Sequence, residues 1–177
     1  MAVAAKVSVE EFQNITDPTG CLELHEGEIV KVPAPSPYHQ RLQLRIQDLL
    51  GSLLRPAGYL VGVEFWISPE ENSRRVDVAV IHSHRYPTSR TDVFRAVPEL
   101  VIEVLSPSNP MLDINRLRGL CLRHGAKEFW VVDPDALTVA VYKTYGVTAT
   151  HKEYGRDASI PIEFVPGAAL AVEAIFS

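Results

Sequence analysis

The sequence predicts an α/β protein, a single domain with a central mixed β-sheet flanked by helices. Three observations lead there. A chain of 177 residues carries one full core more comfortably than two. Its apolar residues gather in strand-length runs such as RVDVAVI and ELVIEVL, which suit strands covered on both faces rather than strands with one wet side. The runs come in the order strand, strand, strand, helix, strand, which lays helices over a mixed sheet. No repeat, low-complexity tract or linker interrupts the chain, so residues 1–177 are expected to form one domain.

The elements follow in order. Ser8 to Ile15 reads as a short helix with a capping box, Ser8 at the cap and Glu11 three residues on. Cys21 to Val32 reads as a hairpin turning at Glu26-Gly27. Pro33, Pro35 and Pro37 then break regular structure, and Ser36 can cap the helix that follows. From Tyr38 to Leu54, His39, Leu42, Ile46, Leu49, Leu50 and Leu53 recur at helical spacing, and Pro56 and Gly58 end the pattern. Strands are expected at Tyr59 to Ile67, Arg75 to Ile81 and Glu99 to Leu105, then a helix from Met111 to Arg123 stopped near Gly125. Glu128 to Val132 and Thr138 to Tyr145 form a second hairpin about Asp133-Pro134-Asp135, and a less regular tail closes the chain.

Composition removes several function classes. Hydrophobic residues make up 46% and charged residues 22%, ordinary values for a soluble domain. No apolar run approaches the ~20 residues of a membrane-spanning helix. Met1 to Val9 lacks a signal-peptide core, so a cytoplasmic location is expected. Cys21 and Cys121 form no CxxC pair, which disfavours a disulfide in that compartment. Cysteine and histidine never cluster at zinc-ligand spacing. The net charge is −5, yet the segment from Arg74 to Lys127 holds nine basic and five acidic residues, leaving the remainder at −9. A basic middle segment on an acidic chain is a modest pointer to phosphate.

The sharpest anomaly is a pair of acids inside apolar strands, Asp77 in VDVAVI and Glu103 in LVIEVL. An ionised carboxylate buried there costs several kcal/mol unless it is paired or binds a cation. One such acid more often pairs with an arginine or sits at a solvated strand end. Two in successive strands, with Asp113 opening the next helix, favour one shared metal ion, and all-oxygen ligands favour Mg²⁺ or Mn²⁺. His39 is the polar member of an apolar stripe and a second-tier site candidate. His82 and His84 are expected to be solvated. Glu23, Glu28 and Glu64 take ordinary surface roles by default.

The phrases CLELHEGEIVKVPAPSPYHQRL, RRVDVAV, PELVIEVLSPSN and DINRLRGLCLRHGAKEFWVVDP, in this order and spacing, resemble the family of restriction endonucleases called "Uma two", within the PD-(D/E)XK nuclease superfamily. The resemblance runs from about Cys21 to Tyr142 and implies a restriction-endonuclease-like fold with a metal-dependent phosphodiesterase site. Carried over by position, it implies site roles for His39, Asp77, Glu103 and Asp113. It also exposes a departure. The family's lysine, four residues after that aspartate, is Leu117 here, and only Arg116, three residues after Asp113, can bring charge to the same helix face. A guanidinium stays protonated, so it replaces the electrostatic role of a lysine but not proton transfer.

Two functions follow from this resemblance. In the first, the protein is an endonuclease in which Asp77 and Glu103 hold Mg²⁺ or Mn²⁺, Arg116 and less directly Arg118 steady the phosphate, and His39 orients water or helps place the metal. Its substrate is nucleic acid, with DNA expected. In the second, it is a degenerate relative that binds nucleic acid or a protein without cutting. A two-fold homodimer is the default assembly for a soluble chain of this size.

Overall fold

The computed structural model describes residues 6–89, 93–107, 110–145 and 148–177. Arg90 and Asp92 of the basic segment, and Ser108 and Asn109 of the IEVLSPSN phrase, lie outside them. The chain opens with α1 (Val9–Gln13), where the expected capping box forms. The Ser8 amide donates to Glu11 Oε2 at 2.8 Å, and the Glu11 amide donates to Ser8 Oγ at 3.2 Å. The hairpin β1 (Leu22–His25) and β2 (Glu28–Lys31) turns through Glu26 at φ 52° and Gly27 at φ 85°. Two successive left-handed residues match the right-handed twist of the flanking strands.

Helix α2 (Pro37–Leu54) starts where the proline-rich stretch allows. Ser36 Oγ accepts the His39 amide at 3.2 Å, and Pro37 fills the first turn, where no amide partner is lost. Strands β3 (Tyr59–Ile67), β4 (Arg74–His82) and β5 (Leu100–Val104) follow, then α3 (Met111–Arg123), which Gly125 at φ 97° helps to terminate. Next come β6 (Glu128–Asp133), β7 (Thr138–Tyr145), β8 (Thr148–Tyr154), β9 (Ser159–Pro161), β10 (Ala169–Ala171) and α4 (Val172–Phe176). Among the described residues, no helix is long and apolar enough to cross a membrane.

Six strands form the central sheet in the order β3-β4-β5-β6-β7-β8. Only β5 and β6 run parallel, with α3 as their crossover, so the sheet is mixed as expected. Its two faces feed separate cores. Leu100, Ile102, Trp130 and Val132 pack under α2 and the C-terminal segment around Ile160, Ile162 and Ile175. Ala79, Val101, Phe129 and Val131 pack under Ile114, Leu117 and Cys121 of α3. Both cysteines are free.

The C-terminal segment departs from expectation. It was expected to be irregular, yet β8 pairs with β7 from Val139↔Tyr154 to Tyr145↔Thr148 and completes the sheet. The string TATHKEY carries little apolar alternation because β8 is an edge strand. Backbone pairing holds it, and polar side chains suit its wet side.

Candidate active site

The β4–β5 ladder ends at Val78↔Ile102, one residue before Asp77 and Glu103 would pair. Their side chains take over the backbone donors left behind. The Asp77 amide donates to Glu103 Oε1 at 3.2 Å, and the Val104 amide donates to Asp77 Oδ2 at 2.7 Å. Two carboxylates are thereby brought together at a point where the strands stop bonding to one another. Glu103 shares the α3 face with Val101 and is 6% exposed.

Helix α2 closes the other side. His39 Nε2 donates to Asp77 Oδ1 at 2.9 Å, and Gln43, one turn on, donates to the same oxygen at 2.8 Å. The Gln43 amide also donates to Glu64 Oε1. Glu64 was expected on the surface. It is part-exposed in the expected strand β3, but at φ 49°, where the ladder skips from Val63↔Val78 to Phe65↔Val76. A left-handed non-glycine residue inside a strand is held there by its surroundings, and here it puts a third carboxylate on the rim of the Asp77 site. Arg75 Nε holds the other Glu64 oxygen at 2.9 Å.

A second polar group lies beside the first. Arg74 Nε donates to Glu23 Oε2 at 2.8 Å, and Arg74 Nη2 donates to Asp113 Oδ2 at 2.7 Å. His25 Nε2 donates to Glu23 at 2.8 Å, and its Nδ1 lies 3.6 Å from Asp113. Glu23 is therefore not a surface acid as expected. It is 5% exposed and ties the hairpin to β4.

All five residues singled out in the sequence, His39, Asp77, Glu103, Asp113 and Arg116, line one cleft of about 560 Å³. Arg116 is exposed at its edge, while Leu117 is buried in its wall. Arg118 leaves the group, its guanidinium stacking on the Tyr142 ring at 4.1 Å. Sequence reasoning missed Gln43, Glu64, Glu23 and Arg74. Gln43 could have been found from its place one turn after His39. Glu64 carried no signal, because its position depends on a distortion of β3.

The electrostatics mark Glu103 out. Burial, then the charge of Asp77, pushes its carboxyl well above the usual carboxylate range, and Arg74 only partly opposes the shift. For His39, burial works against the charged form. The hydrogen bond to Asp77 and the charges of Asp77 and Glu64 outweigh it and raise the imidazole. Burial likewise pushes Glu23 up, but the His25 hydrogen bond and the Arg74 charge win and hold it low. A buried acid and a part-buried one that repel each other beside an open cleft could hold a divalent cation, which would relieve that repulsion. Among the described residues, no three His, Cys, Asp or Glu side chains form a ready cage.

A family model described as "Putative restriction endonuclease" (Uma2) matches residues 9–173. The fold is similar to a crystal structure described as a putative nuclease belonging to DUF820 from Anabaena variabilis, with a TM-score of 0.83 at 24% identity, over 96% of this chain and 97% of that one. No curated protein matches.

Proposed function

Because the chain belongs to the Uma2 family, we propose that it is a divalent-metal-dependent endonuclease that hydrolyses phosphodiester bonds in DNA. The observation that carries the proposal is the convergence of part-buried Asp77 and buried Glu103, mutually repelling and open to one cleft. These two residues would hold Mg²⁺ or Mn²⁺, which supplies positive charge to phosphate oxygens and makes a water more acidic. His39 and Gln43 both donate to Asp77 Oδ1 and so fix the orientation of that carboxylate. Asp113 orients Arg74, and Arg116 at the exposed edge steadies a flanking phosphate. The basic middle segment adds sequence-independent backbone contacts.

One observation favours the second reading, a relative that binds nucleic acid without cutting it. Leu117, at the family's lysine position, is 2% exposed and presents an apolar wall. Cleavage of plasmid and oligonucleotide duplexes with Mg²⁺ or Mn²⁺ separates the two readings. Cleavage by the natural chain, lost in Asp77→Ala and Glu103→Ala, supports the enzyme. Duplex binding without cleavage, with cutting gained in Leu117→Lys, establishes the degenerate binder. No cleavage and no heat of metal binding would overturn the metal-nuclease reading.

A further inference from the structure

Among the described residues, Arg74 is the one buried arginine or lysine that lines the cleft, at 5% exposure. Two of its three guanidinium nitrogens are committed, Nε to Glu23 at 2.8 Å and Nη2 to Asp113 at 2.7 Å. Nη1 has no hydrogen-bond partner among the described residues. No fully enclosed side-chain nitrogen or oxygen among them lacks a partner, so Nη1 is not fully enclosed. Arg74 lines the same cleft as Asp77 and Glu103. An arginine clamped on two acids loses little further freedom when it meets a ligand, and a planar fork suits phosphate oxygens. Arg116, by contrast, is exposed, and among the described residues it makes no ion pair that would fix its place.

We propose that Arg74 is a catalytic residue whose uncommitted Nη1 binds a non-bridging oxygen of the scissile phosphodiester, with Glu23 and Asp113 as its positioning residues. This assignment rests on the nuclease reading of the site. In the step, the oxygen of a water forms a bond to phosphorus as the bond from phosphorus to the leaving sugar oxygen breaks. The water's proton goes to solvent, the leaving oxygen takes a proton from solvent, and nothing is oxidised or reduced. Arg74 stays protonated throughout and donates more strongly as charge builds on the phosphoryl oxygens. It thereby provides fixed positive charge that the Leu117 wall cannot.

Arg74→Gln alone would strand Glu23 as a buried charge, so the test uses the Glu23→Gln/Arg74→Gln pair, which removes both charges, and Arg74→Lys, which keeps one. Cleavage of a DNA duplex with Mn²⁺ should fall about 10²- to 10³-fold in kcat in the double variant. It should fall about tenfold in Arg74→Lys, since an ammonium cannot span two acids and a phosphate. Mn²⁺ affinity should stay within threefold, because the two charges removed in the double variant act on Glu103 in opposite senses and Arg74→Lys removes neither. Duplex binding with Ca²⁺ over a salt series gives a readout that a merely structural role would not move. The log–log slope should drop by about one contact in the double variant. Near-natural cleavage with an unchanged slope in a folded variant overturns the assignment. If the natural chain binds duplex without cutting it, the nuclease reading fails, and the slope alone decides whether Arg74 is a phosphate ligand. If it binds no duplex, both fall.

Discussion

Glu103 and Glu128 sit on adjacent parallel strands, 6% and 1% exposed, yet the protein treats them in opposite ways. Glu128 is fully provided for. Its Oε2 accepts the Trp130 indole N–H at 2.8 Å, its Oε1 accepts the Glu163 amide at 3.0 Å, and the Lys143 ammonium lies 3.5 Å away. Glu103 accepts one backbone amide at 3.2 Å and faces the carboxylate of Asp77. One acid is a structural strut and the other is left in conflict beside a cleft. Burial of a carboxylate therefore says little until its partners are counted. A chain that satisfies one buried acid and leaves its neighbour opposed has placed that opposition where a cation can use it.

The largest expected contrast is in activity. Asp77→Asn and Glu103→Gln should each lower duplex cleavage with Mg²⁺ or Mn²⁺ by about 10³-fold or more, the scale of losing charge stabilisation in the transition state. Glu128→Gln should stay within about threefold of the natural chain at a temperature where both are folded. Equal losses in all three would erase the distinction between strut and site.

Stability should run the other way. Glu128→Ala removes the acceptor for the buried Trp130 indole and the part-buried Glu163 amide and should cost about 3 kcal/mol in urea unfolding. Glu103→Gln, which removes a repelling charge, should cost less than about 1 kcal/mol or stabilise the fold. A Glu103→Gln variant as crippled in stability as Glu128→Ala would mean that Glu103 is structural.

Smaller effects appear in pH dependence, with opposite signs for two acids of the cleft. The folded state holds the Glu103 proton more tightly than the unfolded chain does. Its contribution is full below the ordinary carboxylate range and is lost as pH rises through the raised folded value. Glu23 is held low, so its contribution is present above that range and is lost as pH falls through the lowered value. Unfolding curves of Glu103→Gln should thus diverge upward from the natural protein on the alkaline side. Those of Glu23→Gln should converge with it on the acidic side.

Smallest and most specific is the metal linkage. A divalent cation held by Glu103 competes with the proton that its raised carboxyl favours, so binding should tighten with rising pH and release protons. Calorimetry in two buffers of different ionisation heat measures that release. Metal binding that is independent of pH would place the ion elsewhere.

Much of the fold was legible because burial leaves a period in sequence. The stripe on α2, the doubly covered strands β4 and β5 and the Gly-bearing turns each follow from a local rule. Strand β8 was not legible, because backbone hydrogen bonds to β7 hold it and they write nothing into side-chain polarity. The site divided in the same way. Asp77 and Glu103 stood out because each contradicts its apolar surroundings, and His39 because it interrupts a stripe.

By itself, then, the sequence determined the mixed α/β architecture, the family and the two anomalous carboxylates, because each leaves a local contradiction or a local period. Only the tertiary structure decided that the two acids oppose each other where the ladder ends, and that Glu64 turns inward on a left-handed backbone. It alone decided that Arg74 is clamped between Glu23 and Asp113. These are contacts between residues up to 51 positions apart in the case of Glu23 and Arg74, and no local pattern records which distant partner satisfies a charge.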